Sequence, residues 1–128
     1  MKKLLLVSLI ALWTVTTSFY RFYPSEVISI YDGDTITVEI NLGFGISKTE
    51  RLRLYGLDAP EMRGVEKPEG IISRDALRKK ILGKQVRIET LKNDKKGKYG
   101  RIIATIWLGD ENINNWMVQN DYAEYRVY

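Results

Sequence analysis

The chain has 128 residues, a formal charge of +4, and neither cysteine nor histidine. That length suits one domain with a single core. Disulfides, thiol nucleophiles and cysteine-rich zinc sites are excluded, and so is the commonest general base, so catalysis must use carboxylate, lysine, tyrosine or arginine, which points to a hard, oxygen-ligated cation such as calcium or magnesium over zinc or iron.

Met1-Lys2-Lys3 precedes an apolar run from Leu4 to Trp13 and then Thr, Val and Ser, the pattern of a secretory signal. The run falls short of the roughly 20 apolar residues a spanning helix needs. Residues 1–20 therefore read as a signal peptide, with a retained membrane anchor as the alternative. The first reading implies a secreted or periplasmic domain, the second a domain outside the cytoplasm held to a membrane through residues 4–20. Without Lys2 and Lys3 the side-chain charge is +2, too mild to argue for a nucleic-acid partner unaided.

Arg21 to Ile30 mixes aromatic and β-branched residues around Pro24, which suits an edge strand. Asp32-Gly33 predicts a tight turn. From Asp34 a second strand alternates Ile36, Val38 and Ile40 with Thr35, Thr37 and Glu39. Asp34 shares the parity of the buried set at the strand's first position, so it should point toward the mouth of the core. A hairpin loop over Asn41 to Ser47 leads to a third strand over 48–57, with Leu52 and Leu54 on the core face and Arg53 on the other. Gly56 reads as a bulge or close approach, Asp58-Ala59-Pro60-Glu61 as a turn, and 62–69 as polar, mobile chain. A helix is expected over 70–82, with Ile72, Ala76, Leu77 and Ile81 as its apolar stripe and Gly83 closing it. A strand over 85–91, an exposed lysine-rich turn over 92–98, a strand over 99–108 and a short helix capped by Asn112 follow.

Three strands, a helix, two strands and a helix, joined by hairpin-length loops, do not alternate as a doubly wound sheet would. They predict an α+β, mainly β fold: a five-stranded OB-type Greek-key barrel with an inserted helix and a short C-terminal helix.

Three short motifs lie at strand ends in this scheme: D-G-D-T at 32–35, R-L-Y-G-L-D-A-P-E at 53–61 and K-Y-G-R at 98–101. Each alone is ordinary, because Asp and Gly favour turns and strand-face arginines are usually solvated. In this order, with a helix between the second and third, the set closely resembles the staphylococcal (micrococcal) nuclease, or thermonuclease, family from about Val27 to Tyr125. The resemblance implies a nuclease-like OB-fold domain over 21–128 and a calcium-dependent endonuclease that hydrolyses DNA and RNA and leaves 3′-phosphate ends. It implies that Asp34, Asp58 and the main-chain carbonyl of Ala59 bind Ca2+, with Asp32 reinforcing the negative field; the family often has threonine where Ala59 stands. Arg53 and Arg101 are implied to grip phosphate, as planar guanidinium forks can, and Glu61 to position or deprotonate the attacking water. Lys98 and Tyr99 are implied to touch a neighbouring phosphate, and Tyr125, with Tyr122 and Tyr128, is a candidate to stack on a base. A monomer is expected. The rival expectation is a noncatalytic nuclease-like module that binds nucleic acid without cutting it.

Overall fold

The computed structural model describes residues 21–91 and 96–127, apart from the side chains of Arg21 and Lys98. The signal or anchor expected over 1–20, positions 92–95 of the lysine-rich turn, the Lys98 side chain and Tyr128 lie outside the described residues.

The elements run β1 (Arg21–Asp32), β2 (Thr35–Gly43), β3 (Ile46–Leu54), β4 (Leu57–Asp58), α1 (Lys67–Ile81), β5 (Gln85–Thr90), β6 (Ile102–Leu108), β7 (Glu111–Asn112), α2 (Ile113–Gln119) and β8 (Glu124–Tyr125). Antiparallel neighbours in the order β3-β2-β1-β5-β6 close on themselves through a parallel β3–β6 pairing that sets Leu52 beside Ile102 and Leu54 beside Ala104. The result is the expected five-stranded barrel with two helices. The two-residue strand β7 extends β6, and β4 pairs with β8 as a separate ribbon.

Several expected boundaries move, each for a local reason. β1 is not an edge strand, since it pairs with β2 and β5; its ladder with β2 begins at Ser25, so Pro24 lies opposite only Arg87 of β5. The first turn consists of Gly33 and Asp34, with Asp32 opposite Thr35, so β2 starts one residue late. Phe44 and Gly45 both take positive φ, 54° and 73°, which suits a tight primed hairpin turn and lets β2 and β3 run into the expected loop. Gly56, at φ 78°, turns the chain rather than bulging it, and β3 ends at Leu54. The segment expected to be mobile folds into a 3-10 turn over Gly64–Glu66 followed by α1, which starts at Lys67 with Pro68 in its favoured first turn. A second 3-10 turn, Lys98–Gly100, delays β6 to Ile102.

Alternating apolar residues fill the barrel: Val27, Ile36, Val38, Leu52, Leu54, Ile88, Ala104 and Ile106 are all fully buried. Leu77 and Ile81 from α1 and Ile113 and Met117 from α2 complete the core. Ile72, expected in the α1 stripe, is 60% exposed; the buried stripe is Gly70, Ser73, Leu77 and Ile81. Asn112 caps α2 as expected, its side-chain oxygen accepting the Asn115 N–H at 3.0 Å. Asn114 ties α2 to the barrel, accepting from Ile106 N–H at 3.0 Å and donating to the Tyr55 and Ala104 carbonyls at 3.0 and 3.1 Å. Among the described residues every buried side-chain polar atom has a hydrogen-bond partner.

Candidate active site

The β1–β2 turn builds the centre of the site. Asp32 Oδ1 accepts the Asp34 N–H at 3.0 Å, an Asx-type turn bond, and Asp34 is left only 4% exposed at the barrel mouth. Its Oδ2 accepts the Ala59 N–H at 2.9 Å and pairs with Arg53; its Oδ1 accepts the Thr35 hydroxyl at 3.1 Å. Arg53 stands opposite Thr35 in the β2–β3 register, on the noncore face as expected. It is nevertheless only 9% exposed, because its second arm donates to the Leu57 carbonyl at 3.1 Å and to Asp58 Oδ1 at 3.0 Å. Arg101 donates to the Thr35 hydroxyl at 2.8 Å. One buried carboxylate thus holds both arginines, Arg53 directly and Arg101 through Thr35.

Electrostatics follow from this packing. Burial pushes the Asp34 carboxyl up, but hydrogen bonds from Arg53, Asp32 and the Ala59 amide and the charge of Arg53 outweigh it, so its pKa falls below the usual value and it stays ionised. Asp32 has no arginine partner, and the hydrogen bonds it receives from the Asp34 amide and the Thr35 side chain are outweighed. Burial first and the neighbouring Asp34 charge second raise it from 3.8 to about 6.

Two close approaches set the rest of the site. A Cβ on Gly33 would strike Ser73 Oγ of α1 and come within 2.7 Å of the Ala59 Cβ, and a Cβ on Gly70 would strike the Glu61 carbonyl. The first turns of α1 therefore press directly on the D-G-D-T turn and on the Pro60-Glu61 backbone, which needs small residues at those contacts. Glu61 itself is exposed; its Oε2 accepts from Arg63 Nε at 2.8 Å, and its N–H donates to Glu66 Oε2 at 3.0 Å.

Asp32, Asp34, Arg53, Asp58, Glu61 and Arg101 line one cleft of about 640 Å³, together with Ala59 and Tyr99. Tyr99, at φ 62° and 85% exposed, has the Arg101 guanidinium 5.6 Å from its ring centroid. Tyr122 is half-buried with its ring 5.5 Å from that of Trp116, so it packs on the core; Tyr125 is 69% exposed on β8, outside the cleft lining. Asp34 and Asp58 both pair with Arg53, and Arg126 approaches Asp58 as well. Among the described residues, no three His, Cys, Asp or Glu side chains cluster as a metal-binding group.

Sequence reasoning missed Arg63, Arg126 and Tyr31, which also line the cleft, and the bridging role of Thr35. Thr35 was visible as the last letter of D-G-D-T. Arg126 had no local signal, because it arrives only through the β4–β8 pairing, its N–H donating to the Gly56 carbonyl at 2.9 Å and its NH1 lying 3.7 Å from Asp58 Oδ1.

The sequence profile described as "Staphylococcal nuclease homologue" matches residues 51–128, a span that holds Arg53, Asp58, Glu61 and Arg101 and begins after the D-G-D-T turn. The chain is similar to a thermonuclease of Staphylococcus hyicus, at 32% identity over 106 residues covering 80% of this chain and 59% of that protein. It is 33% identical over 129 residues to an uncharacterized endonuclease of Haemophilus influenzae, covering 99% of this chain and 67% of the other. A probable endonuclease LCL3 of Komagataella phaffii is 36% identical over 111 residues, covering 81% and 49%. Against thermonucleases of S. hyicus and Staphylococcus intermedius, the chain spans 59% and 57% of their length.

Proposed function

The chain belongs to the staphylococcal nuclease family, and on that premise we propose that it is a calcium-dependent, sugar-nonspecific endonuclease that hydrolyses DNA and RNA to 3′-phosphate ends. The observation that supports this most is the convergence of Asp34 and Asp58 on Arg53, with Arg101 linked through Thr35 and Glu61 lining the same cleft.

The donor set fits a hard cation. Asp34 is held ionised, Asp58 shares its positive partner, and the Ala59 main-chain carbonyl adds a neutral oxygen ligand in this reading, for which an alanine serves as well as a threonine. When bound, calcium supplies Lewis-acid neutralisation of the phosphodiester oxygens. The remaining chemistry belongs to side chains. Arg53 and Arg101 offer N–H forks to the phosphate oxygens, where charge grows during attack. Glu61 orients a water or takes its proton, the water oxygen bonds to phosphorus, and the P–O5′ bond breaks, the 5′ oxygen leaving as a hydroxyl with a proton from solvent and the phosphate staying on the 3′ oxygen. For Glu61 to act, its carboxylate must exchange Arg63 for water, a local motion of two exposed side chains. Lys98 and Tyr99 would hold the neighbouring phosphate, and Tyr125 is a weaker candidate for stacking because it lies outside the cleft lining.

Incubation of the purified chain with plasmid DNA and with RNA, in calcium and then in excess chelator, tests the proposal. Both substrates should disappear only in calcium, and the DNA ends should resist polymerase extension until treated with phosphatase. Intact nucleic acid in calcium would overturn the reading, and binding without cleavage would favour the noncatalytic module. Export with removal of residues 1–20 is part of the same proposal, and the mass of the mature N-terminus checks it.

A further inference from the structure

Beside the cleft lies a second groove of about 650 Å³, between α1 and the outer face of β1–β3, whose charged lining residues are Arg51, Lys67, Arg74 and Arg78. Among the described residues no carboxylate lines it. Asp75, the acid that pairs with Arg74 at 3.0 Å and approaches Arg78 at 3.9 Å, leaves Arg51 and Lys67 without an ion-pair partner among the described residues. Tyr31 and Met62 line both grooves, and a smaller cleft of about 140 Å³ joins Tyr31 and Arg51 to Tyr99 and Arg101. Tyr31 is 61% exposed, and the Arg51 guanidinium sits over its ring, 5.3 Å from the centroid. Arg78 is anchored by two hydrogen bonds to the Ile30 carbonyl, so the groove's floor is part of the α1–β1 packing.

We propose that this groove is an extended subsite for single-stranded nucleic acid, in which the strand leaves the cleft past Tyr31, a base stacks on that ring, and Arg51, Lys67 and Arg74 bind the phosphates that follow. The proposal rests on the nuclease reading of the neighbouring cleft. Charge spacing along a groove with an exposed aromatic at its mouth is what sequence-tolerant binding of a single strand requires: cations track the backbone, and the π-face accepts any base. Neither Arg53 nor Arg101 lines it.

The test is equilibrium binding of a fluorescein-labelled 20-nucleotide single-stranded DNA in excess chelator, read by anisotropy across a salt series. The triple variant Arg51→Gln/Lys67→Gln/Arg74→Gln should bind more weakly and lower the slope of log affinity against log salt by about 2, at roughly 0.7 per lost phosphate contact. Lys48→Gln, on β3 and outside the groove lining, should leave the slope unchanged. Tyr31→Ala should weaken binding roughly fivefold or more with the slope retained, the signature of lost stacking. Lys67→Gln alone, in the exposed first turn of α1, should lower the slope by about 0.7 and serves if the triple variant does not fold. Arg78 is left intact because its anchor role would confuse folding with binding. A slope in the groove variants equal to that of Lys48→Gln would overturn the subsite while calcium-dependent cleavage by the unaltered chain kept the nuclease reading; failure of the unaltered chain both to bind and to cleave would overturn both.

Discussion

Asp34, 4% exposed, could not keep its charge in the barrel mouth without Arg53, and Arg53 could not stay buried without Asp34. Arg53→Ala should therefore destabilise the fold by about 3–5 kcal/mol as well as stop catalysis, since it strands a buried carboxylate. Arg53→Lys keeps the charge and loses the second arm, so it should fold and cut slowly; thermal melting alongside turnover separates the two effects. Thr35→Val, nearly isosteric, should lower kcat roughly tenfold by releasing Arg101 from Asp34, with Thr35→Ser restoring it. Asp32 gives a pH signature. Its carboxyl is raised to about 6 in the fold, so folding favours the protonated form and stability falls as pH rises from its unfolded value near 3.8 to about 6. Asp34 acts oppositely: its lowered pKa adds stability above the unfolded value that is lost as pH falls through the folded one. In chelator, Asp32→Asn, which can keep the turn bond to the Asp34 N–H, should match the unaltered chain below about pH 4 and exceed it above about pH 6. The gain, discounted for coupling and partial exposure, is on the order of 1–2 kcal/mol, and melting curves across pH read it directly.

The start of α1 is the element that packs on the Pro60-Glu61 backbone. Apolar periodicity predicts Ile72 as its inward residue, yet the helix turns Gly70 and Ser73 inward, because it rests on loop backbone rather than on side chains. Small residues at such contacts carry no hydrophobic signal, so no reading of periodicity finds them. Helix propensity alone says Gly70→Ala should stabilise by about 1 kcal/mol. The contact with the Glu61 carbonyl says the reverse: overpacking should cost roughly 1–3 kcal/mol. The second effect should win, and because it moves the Pro60-Glu61 backbone, turnover should drop roughly tenfold or more. A stabilised, fully active Gly70→Ala protein would show that α1 does not set the Glu61 loop.

At the scale of the molecule, barrel closure gathers the motifs. The β3–β6 pairing brings Arg53 level with Ile103, near Arg101, and the β4–β8 ribbon carries Arg126 to Asp58. Strand alternation made the barrel legible in the sequence, and ordered motifs made Asp34, Arg53, Asp58, Glu61 and Arg101 legible as a set. The structure does bring those five to one cleft. What stayed hidden depends on distant backbone: Arg126, the basic groove beside Tyr31, and the hydroxyl bridge at Thr35. These are consequences of packing between elements far apart in the chain, which local pattern does not encode.

The central claim, that this cleft hydrolyses phosphodiesters with two arginines and a glutamate, is tested most directly by single-turnover cleavage of a 5′-labelled oligonucleotide in calcium by the unaltered chain, Arg101→Ala and Glu61→Gln, with melting curves confirming the fold. Each variant should be slower by at least roughly 10²-fold, the usual cost of losing a group that acts in the transition state. Cleavage by both variants at the unaltered rate would contradict the account and place the chemistry elsewhere.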